Sequence, residues 1–321
     1  MSNDARVPTR TFAGRPVGAV GLGCMGMSWA YSAADRDDEA SAAVIREALD
    51  LGVTFLDTAQ RYGYGENESL VGRALRGRRD EAVLATKTGL ELDRSSPYGM
   101  RFNGTPEFVR GSADESLRRL GTDVIDLYYL HRTDPDVPLA ETWGAMAELV
   151  DAGKVRRLGL SEVTVAQAAE AHAIHPVAAI QSELSLWSRE PLDEVLGWCE
   201  SNGAAFVAYS PLGRGFLTGA YTTNDFDEAD FRGGNPRFQE EALRANLRIV
   251  DVVKAVAARR NATPAQIAIA WTLAQGPHVL PIPGTKRSRY LRDNASSATL
   301  SLTKDDLTEL DAVPAAVGSR Y

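Results

Sequence analysis

The run Phe55-Leu56-Asp57-Thr58-Ala59-Gln60-Arg61-Tyr62-Gly63 ends an apolar strand in a carboxylate and places a phenol five residues later, in the following turn. Two further apolar runs end in ionisable groups: Val83-Leu84-Ala85-Thr86-Lys87, and Ile125-Asp126-Leu127-Tyr128-Tyr129-Leu130-His131. If these strands lie side by side, Asp57, Tyr62, Lys87 and His131 converge on one rim. Such a set can give a proton to a carbonyl oxygen while a hydride attacks its carbon. A phenol with a pKa of about 10 is a poor acid at neutral pH. A nearby ammonium is expected to stabilise the phenolate and lower that pKa, and a carboxylate to keep the ammonium charged and fixed. A histidine beside the phenol can orient the carbonyl and relay protons. Taken singly, each residue has an ordinary explanation as a helix cap, a half-buried aromatic, a solvated strand end or a core imidazole. Together they describe a mechanism.

Convergence requires parallel strands that finish at one end. Short apolar runs predict strands over 18–23, 53–57, 82–87, 124–131, 155–160, 178–183, 204–209 and 278–282. Helical patterns fall between them, over 38–51, 67–76, 106–120, 139–152, 164–173, 191–202, 241–260 with 264–275, and 288–297. Leu139, Trp143, Met146 and Val150 recur at helical spacing and should face the sheet. Thr263-Pro264 reads as a helix start, a hydroxyl N-cap followed by proline in the first turn. Eight strand-then-helix units predict an α/β fold, a TIM (β/α)8 barrel, better than an open sheet. Thr9 to Val17 reads as an N-terminal β-hairpin that could plug the barrel bottom. The long connections 88–105 and 211–240 follow strand C-terminal ends, where barrels build active sites. No linker divides residues 1–321, so one domain is expected.

Other strand ends are polar too: Ser161-Glu162, Gln181-Ser182-Glu183 and Tyr209-Ser210. An amide with hydroxyls suits a carboxamide such as that of nicotinamide, and an aromatic suits its ring face; ordinary rim polarity is the plainer reading. The segments from Ser210 to Gly219 and from Pro283 to Ser288 contain glycines, follow the last two strands and read as phosphate loops. Lys286 and Arg287 add positive charge there. Gly21-Leu22-Gly23-Cys24-Met25-Gly26 matches a dinucleotide fingerprint, but no helix begins inside it and the next strand ends too late, at Asp57. A tight turn at the barrel mouth is the better reading.

Composition bounds the possibilities. A hydrophobic content of 44% can fill a core, and 43 acidic against 35 basic residues give −8, which argues against a general nucleic-acid binder. The start, Met1 to Arg6, has no apolar run of a secretory signal, and no stretch approaches a membrane-spanning length. A cytoplasmic protein is expected. Cys24 and Cys199 match neither a metal-ligand spacing nor a disulfide framework, so no metal site is expected.

These residues resemble the aldo-keto reductase superfamily over essentially the whole chain. The resemblance is carried by Phe55-Leu56-Asp57-Thr58-Ala59 with Tyr62-Gly63, Leu84-Ala85-Thr86-Lys87, Asp126 to His131, Gly159-Leu160-Ser161, Tyr209-Ser210-Pro211-Leu212-Gly213 and Ile282-Pro283-Gly284-Thr285-Lys286. Gln181-Ser182-Glu183, Leu186-Trp187-Ser188-Arg189, Asp230-Phe231-Arg232 and Asn235-Pro236-Arg237-Phe238 look like the bacterial and plant branch with pyridoxal-reductase-like and auxin-induced-type proteins. The resemblance implies NADPH bound across a barrel mouth, with Tyr62 as general acid, Lys87 tuning it, Asp57 holding Lys87 and His131 placing the substrate oxygen. It puts Tyr209 against the nicotinamide, and Ser161, Glu162 and Gln181 at the carboxamide. Ser210, Pro211, Leu212, Gly213 and Gly215 would follow the pyrophosphate, with Gly23, Cys24 and Met25 on the first turn. Gly284, Lys286, Arg287 and Tyr290 would meet the 2′-phosphate, and Asp293 and Asn294 the adenine. Glu162 stands where many members carry asparagine, Tyr290 where some carry arginine, and Leu184 where tyrosine is frequent. The chain stops soon after its last expected helix, so no long C-terminal substrate loop is expected. An open pocket shaped by Trp29, Tyr31 and the two long connections follows.

The implied function is an NADPH-dependent reductase of aldehydes and some ketones, acting on a small carbonyl substrate, as a monomer or homo-oligomer. The alternative is an NADP(H)-binding regulatory subunit of the same fold, like the potassium-channel β-subunits. A lyase using a Lys87 Schiff base, or a glycosidase using Glu162 and Glu183, would leave the two phosphate-suited loops without a task.

Overall fold

A computed structural model describes residues 6–31, 33–93, 95–96, 99–228 and 230–320. The described chain opens with an antiparallel hairpin, β1 (Thr9–Phe12) and β2 (Arg15–Gly18). Strands and helices then alternate: β3 (Leu22–Gly23), α1 (Asp38–Asp50), β4 (Phe55–Asp57), α2 (Glu66–Ala74) and β5 (Val83–Thr88). A second hairpin, β6 (Leu90–Leu92) with β7 (Met100–Phe102), precedes α3 (Pro106–Leu120). The alternation resumes with β8 (Leu127–Leu130), α4 (Leu139–Asp151), β9 (Leu158–Ser161), α5 (Val165–Ile174), β10 (Val177–Glu183) and α6 (Val195–Ser201). Last come β11 (Ala205–Tyr209), α7 (Glu240–Arg260), α8 (Pro264–Ala274), β12 (Val279–Pro281), α9 (Ser288–Ser296) and α10 (Lys304–Asp311).

Strands β3, β4, β5, β8, β9, β10, β11 and β12 form one parallel sheet in chain order. Its edges meet: Gly21 N–H donates to the Pro281 carbonyl at 2.9 Å, and Gly23 bridges Gly284. This is the expected eight-fold barrel with its N-terminal hairpin. Among the described residues, no helix is long and apolar enough to cross a membrane.

Side-chain alternation along each strand divides the core in two. Phe55, Val83, Ala85, Leu127, Tyr129, Ala179, Val207, Leu280 and Ile282 form the barrel interior, closed below by Phe12 and Val17 of the hairpin. Phe12 meets Phe55 edge-on, with ring centroids 5.5 Å apart. The intervening residues, such as Leu56, Leu84, Tyr128, Leu160 and Phe206, join the larger cluster between barrel and helices. Trp143 and Met146 of α4 are fully buried there, as their spacing predicts. Thr263 caps α8 in a two-way capping box with Gln266.

Several boundaries differ from expectation. The strand expected over 18–23 shrinks to Leu22–Gly23, because Arg15–Gly18 pairs with β1 instead. The helix expected over 191–202 breaks into a turn at Glu190–Leu192 and α6, with Glu194 in a non-helical conformation between them. The β6–β7 hairpin and α10 were not anticipated. Residues 1–5, 32, 94, 97, 98, 229 and 321 lie outside the described residues, among them the start read as signal-free and parts of both long connections.

At the barrel's lower end, buried Asp126 gathers three arginines: Arg79 at 2.7 Å, Arg156 at 3.1 Å and Arg15 at 3.7 Å. It also accepts the Leu84 amide at 3.0 Å. Asp126→Asn should therefore leave like charges facing one another, costing about 2 kcal/mol and lowering Tm by roughly 3 °C. Activity should survive, since the site lies at the other end. Thermal melting with a parallel assay checks both halves, and an unchanged Tm would remove Asp126 from the stability account.

Candidate active site

The same parity that fills the barrel sets its upper rim. Asp57 lies two residues beyond inward Phe55, Lys87 two beyond Ala85, His131 two beyond Tyr129 and Gln181 two beyond Ala179. Asp57, Lys87, His131, Ser161 and Gln181 are all buried. The lysine ammonium has three protons and three acceptors: Asp57 Oδ1 at 2.5 Å, the Thr58 carbonyl at 2.9 Å and the Tyr62 hydroxyl oxygen at 3.4 Å. The other Asp57 oxygen accepts Gln181 Nε2 at 2.7 Å. Gln181 thus bonds directly to the carboxylate that holds the lysine, a partnership the sequence did not reveal.

Tyr62 reaches this cluster through a turn that glycine permits. Gly63, Tyr64 and Gly65 follow it with φ of 56°, 56° and 91°, all in the left-handed region. Tyr64 takes that conformation without glycine's freedom, at a cost of about 1–2 kcal/mol. The turn is clamped from behind. Asn67, fully buried on α2, accepts the Thr58 hydroxyl at 2.6 Å and donates to Cys24 C=O and Ser28 Oγ, each at 2.9 Å. Its neighbour Glu68 accepts the Thr86 hydroxyl and Arg119 Nε, each at 2.6 Å. Gln60 accepts the Ser112 hydroxyl at 2.6 Å. Thr58 and Thr86 adjoin Asp57 and Lys87, so these bonds fix the reacting groups at one remove. Acidic and amide residues are ordinary in a helix's first turn, so no sequence signal marked Asn67 or Glu68 for burial.

Burial raises the Tyr62 pKa above its usual value; Lys87 lowers it and Asp57 raises it again, so the net shift is upward. Lys87 does lower the pKa as expected, but desolvation of the buried phenolate outweighs it. Burial works against the charged form of Lys87, yet Asp57 and Tyr62 raise its pKa overall, so the amine stays protonated and is a poor Schiff-base nucleophile. Burial and then Lys87, Arg132 and Arg61 hold His131 well below the usual imidazole range, leaving it neutral at pH 7.

Above these groups Trp29 stacks on Tyr62, with centroids 6.1 Å apart, and the Arg61 guanidinium sits 4.4 Å over the Trp29 ring. His131 meets Tyr62 edge-on at 6.1 Å. Tyr31 packs on Phe231 of the 211–240 connection, and the Phe231 amide donates to the Ala30 carbonyl. Arg232, paired with Asp230 at 2.6 Å, lies between the rings of Tyr31, Tyr221 and Phe226.

The residues assigned to a cofactor fall around the same mouth. Half-buried Tyr209 ends β11, and Ser210, Gly213, Arg214 and Gly215 all have positive φ, so the loop Ser210-Pro211-Leu212-Gly213-Arg214-Gly215 is tightly coiled. The Gly213 and Gly215 amides bond to Ser210 and Leu212 carbonyls within the loop's own turns, so those two are already engaged. Gly23, Cys24 and Met25 lie in a barrel-mouth turn; contrary to expectation a one-turn 3-10 helix, Met25–Met27, begins inside the motif, but the first α-helix starts only at Asp38. The Cys24 thiol is fully buried, and its backbone groups bond to Asp57 and Asn67. Ser161 accepts from Arg132 at 3.2 Å. Glu162, with φ of 55°, is paired with Arg320.

Near Gly284, Lys286 is half-buried; burial lowers its pKa, Asp35 opposes this, and Arg36, Arg287 and Arg232 lower it further. Arg287 pairs with Asp35 at 3.1 Å. Arg232, another of these cations, is paired with Asp230. Tyr290 is exposed beneath Arg289, Asn294 is buried, and Asp293 accepts the Thr263 hydroxyl at 2.9 Å, which ties α9 to the start of α8.

A model of the aldo/keto reductase family matches residues 19–315. The chain belongs to the aldo/keto reductase family. It is 42% identical to the aldo-keto reductase yakc of Schizosaccharomyces pombe, whose name specifies NADP(+), over 98% of this chain and 94% of that one. Its fold matches a glycerol dehydrogenase of Gluconobacter oxydans with TM-score 0.84 at 30% identity, covering 97% of this chain and 95% of the other. It also matches an aldo/keto reductase of Klebsiella pneumoniae in complex with NADP and acetate, with TM-score 0.74 at 30% identity over 95% and 94%. The segment after α10 does reach the mouth: it runs along α7 through Asn246 and brings Arg320 to Glu162.

Proposed function

We propose that this aldo/keto reductase reduces aldehydes, and some ketones, to alcohols with NADPH, and that residues 1–321 act as one barrel domain. The observation carrying this reading is the Lys87 ammonium, which donates to the Tyr62 oxygen while Asp57 and Thr58 take its other protons. With that oxygen already accepting from lysine, the phenol's own proton is left for a substrate carbonyl. NADPH, when bound, supplies the hydride to the carbonyl carbon. Tyr62 donates the proton to the oxygen, and Lys87 stabilises the phenolate left behind. Asp57, steadied by Gln181, keeps Lys87 charged and aimed. His131, neutral at pH 7, can donate a hydrogen bond that orients the carbonyl. Trp29 and Tyr62 wall the substrate pocket on one side.

Tyr209 and Ser161 would lie against the nicotinamide, the 210–215 loop along the pyrophosphate, and Lys286 with Arg287 at the 2′-phosphate, which supports NADPH over NADH. Quenching of protein fluorescence should show tighter binding of NADPH than of NADH. Loss of nicotinamide absorbance should then depend on added aldehyde. Tight NADPH binding with no turnover across a broad aldehyde panel would instead make the chain a regulatory binder.

A further inference from the structure

Two strand-end carboxylates stand beside each other at the mouth. Glu162 follows Ser161 directly off β9, and Glu183 ends β10, paired in register with Tyr209. The two residues are joined through the backbone: Glu162 Oε1 accepts the Glu183 main-chain amide at 3.0 Å. Two acids at that position would repel each other and any anionic nucleotide laid across Ser161 and Tyr209. Glu183 is 1% exposed and lies 3.5 Å from Arg214 Nη2 and 4.0 Å from Arg237 Nη1. Glu162 receives its guanidinium from far along the chain. Both its oxygens contact Arg320, one of them at 3.4 Å, and Arg320 Nε also lies 3.8 Å from Glu183 Oε2.

The segment carrying Arg320 is fastened in three places. Asn235 Nδ2 donates to the Arg320 carbonyl at 3.0 Å, and Arg237 Nε to the Gly318 carbonyl at 3.2 Å. Asn246 accepts the Val317 amide at 2.8 Å and donates to its carbonyl at 3.1 Å. Asn235 and Arg237 belong to the connection after β11, so that connection holds the segment by its backbone carbonyls while the Arg320 guanidinium reaches the two strand-end acids. Burial raises the Glu183 pKa, and Arg214, the Ser188 hydroxyl, Arg320 and Arg237 oppose it, consistent with a carboxylate that depends on surrounding arginines.

We propose that Arg320 is a positioning residue for the nicotinamide side of the mouth, neutralising the Glu162–Glu183 pair so that an anionic nucleotide can dock beside it. This rests on the NADPH reading above. The latch acts on the cofactor rather than on proton transfer, so it moves nucleotide affinity and leaves chemistry alone.

Arg320→Met should weaken NADPH binding, measured by fluorescence quenching, by about tenfold or more, with kcat at saturating NADPH within roughly threefold of the parent. Glu162→Gln with Arg320→Met removes the charge together with its partner, and should return affinity to within about threefold of the parent. A support role for the segment alone predicts no such rescue. NADPH affinity unchanged in Arg320→Met, or a double variant as weak as the single, overturns the proposal. Melting of the nucleotide-free proteins gives a separate readout: the single variant should melt lower than the double, and equal values overturn the Arg320–Glu162 pairing. Failure of the parent to bind NADPH would overturn the functional reading, while the melting cycle still decides whether the latch exists.

Discussion

Tyr62→Phe should lower aldehyde turnover by about 10²–10⁴-fold, the span a positioned general acid contributes. The change removes one oxygen and keeps the ring that stacks on Trp29, so the mouth keeps its shape. NADPH affinity should stay within about twofold, because the hydroxyl's partner is Lys87 and the phosphate-suited loops lie elsewhere. The pH profile adds a second check. Tyr62 holds its proton above the usual phenol range, so reduction should stay level through neutral pH. It should decline only in the alkaline region, as the acid form is lost, and that decline should be missing from the residual activity of the variant. Turnover close to the parent in Tyr62→Phe would remove the phenol from the mechanism.

Lys87→Met should have an even broader effect. It strips Asp57, 3% exposed, of its cation and leaves Gln181 as a neutral partner for a buried carboxylate. Breaking a buried ion pair from one side costs about 3–5 kcal/mol, which corresponds to roughly 4–7 °C of Tm in a chain of this size. Activity should fall below about one-hundredth, since the phenolate left after proton transfer loses its stabilising charge. Asp57→Asn with Lys87→Met should regain most of the lost melting temperature, because no charge is then buried alone, yet recover no activity. A double variant as unstable as the single would mean the pair is not the unit that thermal melting reads. Activity preserved in Lys87→Met would mean that the phenol needs no ammonium.

Much of this site could be read before any fold was known, for a physical reason. Strand side chains alternate, so a polar residue two places beyond an inward apolar one must point into the same barrel; Phe55 to Asp57, Ala85 to Lys87 and Tyr129 to His131 all obey that rule. The turn expected to carry Tyr62 is present, with Gly63 and Gly65 in its positive-φ positions. Other features depend on distances that a linear string does not contain. Asn67 and Glu68 read as solvated first-turn residues, although each bonds to a threonine beside a reacting group. Arg320 gave no local sign of meeting Glu162, 158 residues away. The lowering by Lys87 is legible in the motif, whereas the burial that outweighs it is a property of the closed mouth. The β6–β7 hairpin escaped because its short strands lie far apart in a segment rich in turn-forming residues.

Isotope transfer tests the central claim most directly. The enzyme is supplied with NADPH deuterated at the reactive position of the nicotinamide ring, together with an aldehyde, and the alcohol is analysed by mass and by NMR. One deuterium on the carbinol carbon per turnover, with the hydroxyl proton drawn from solvent, is the result expected of this site. Unlabelled alcohol, or a product formed equally well without nucleotide, would contradict it.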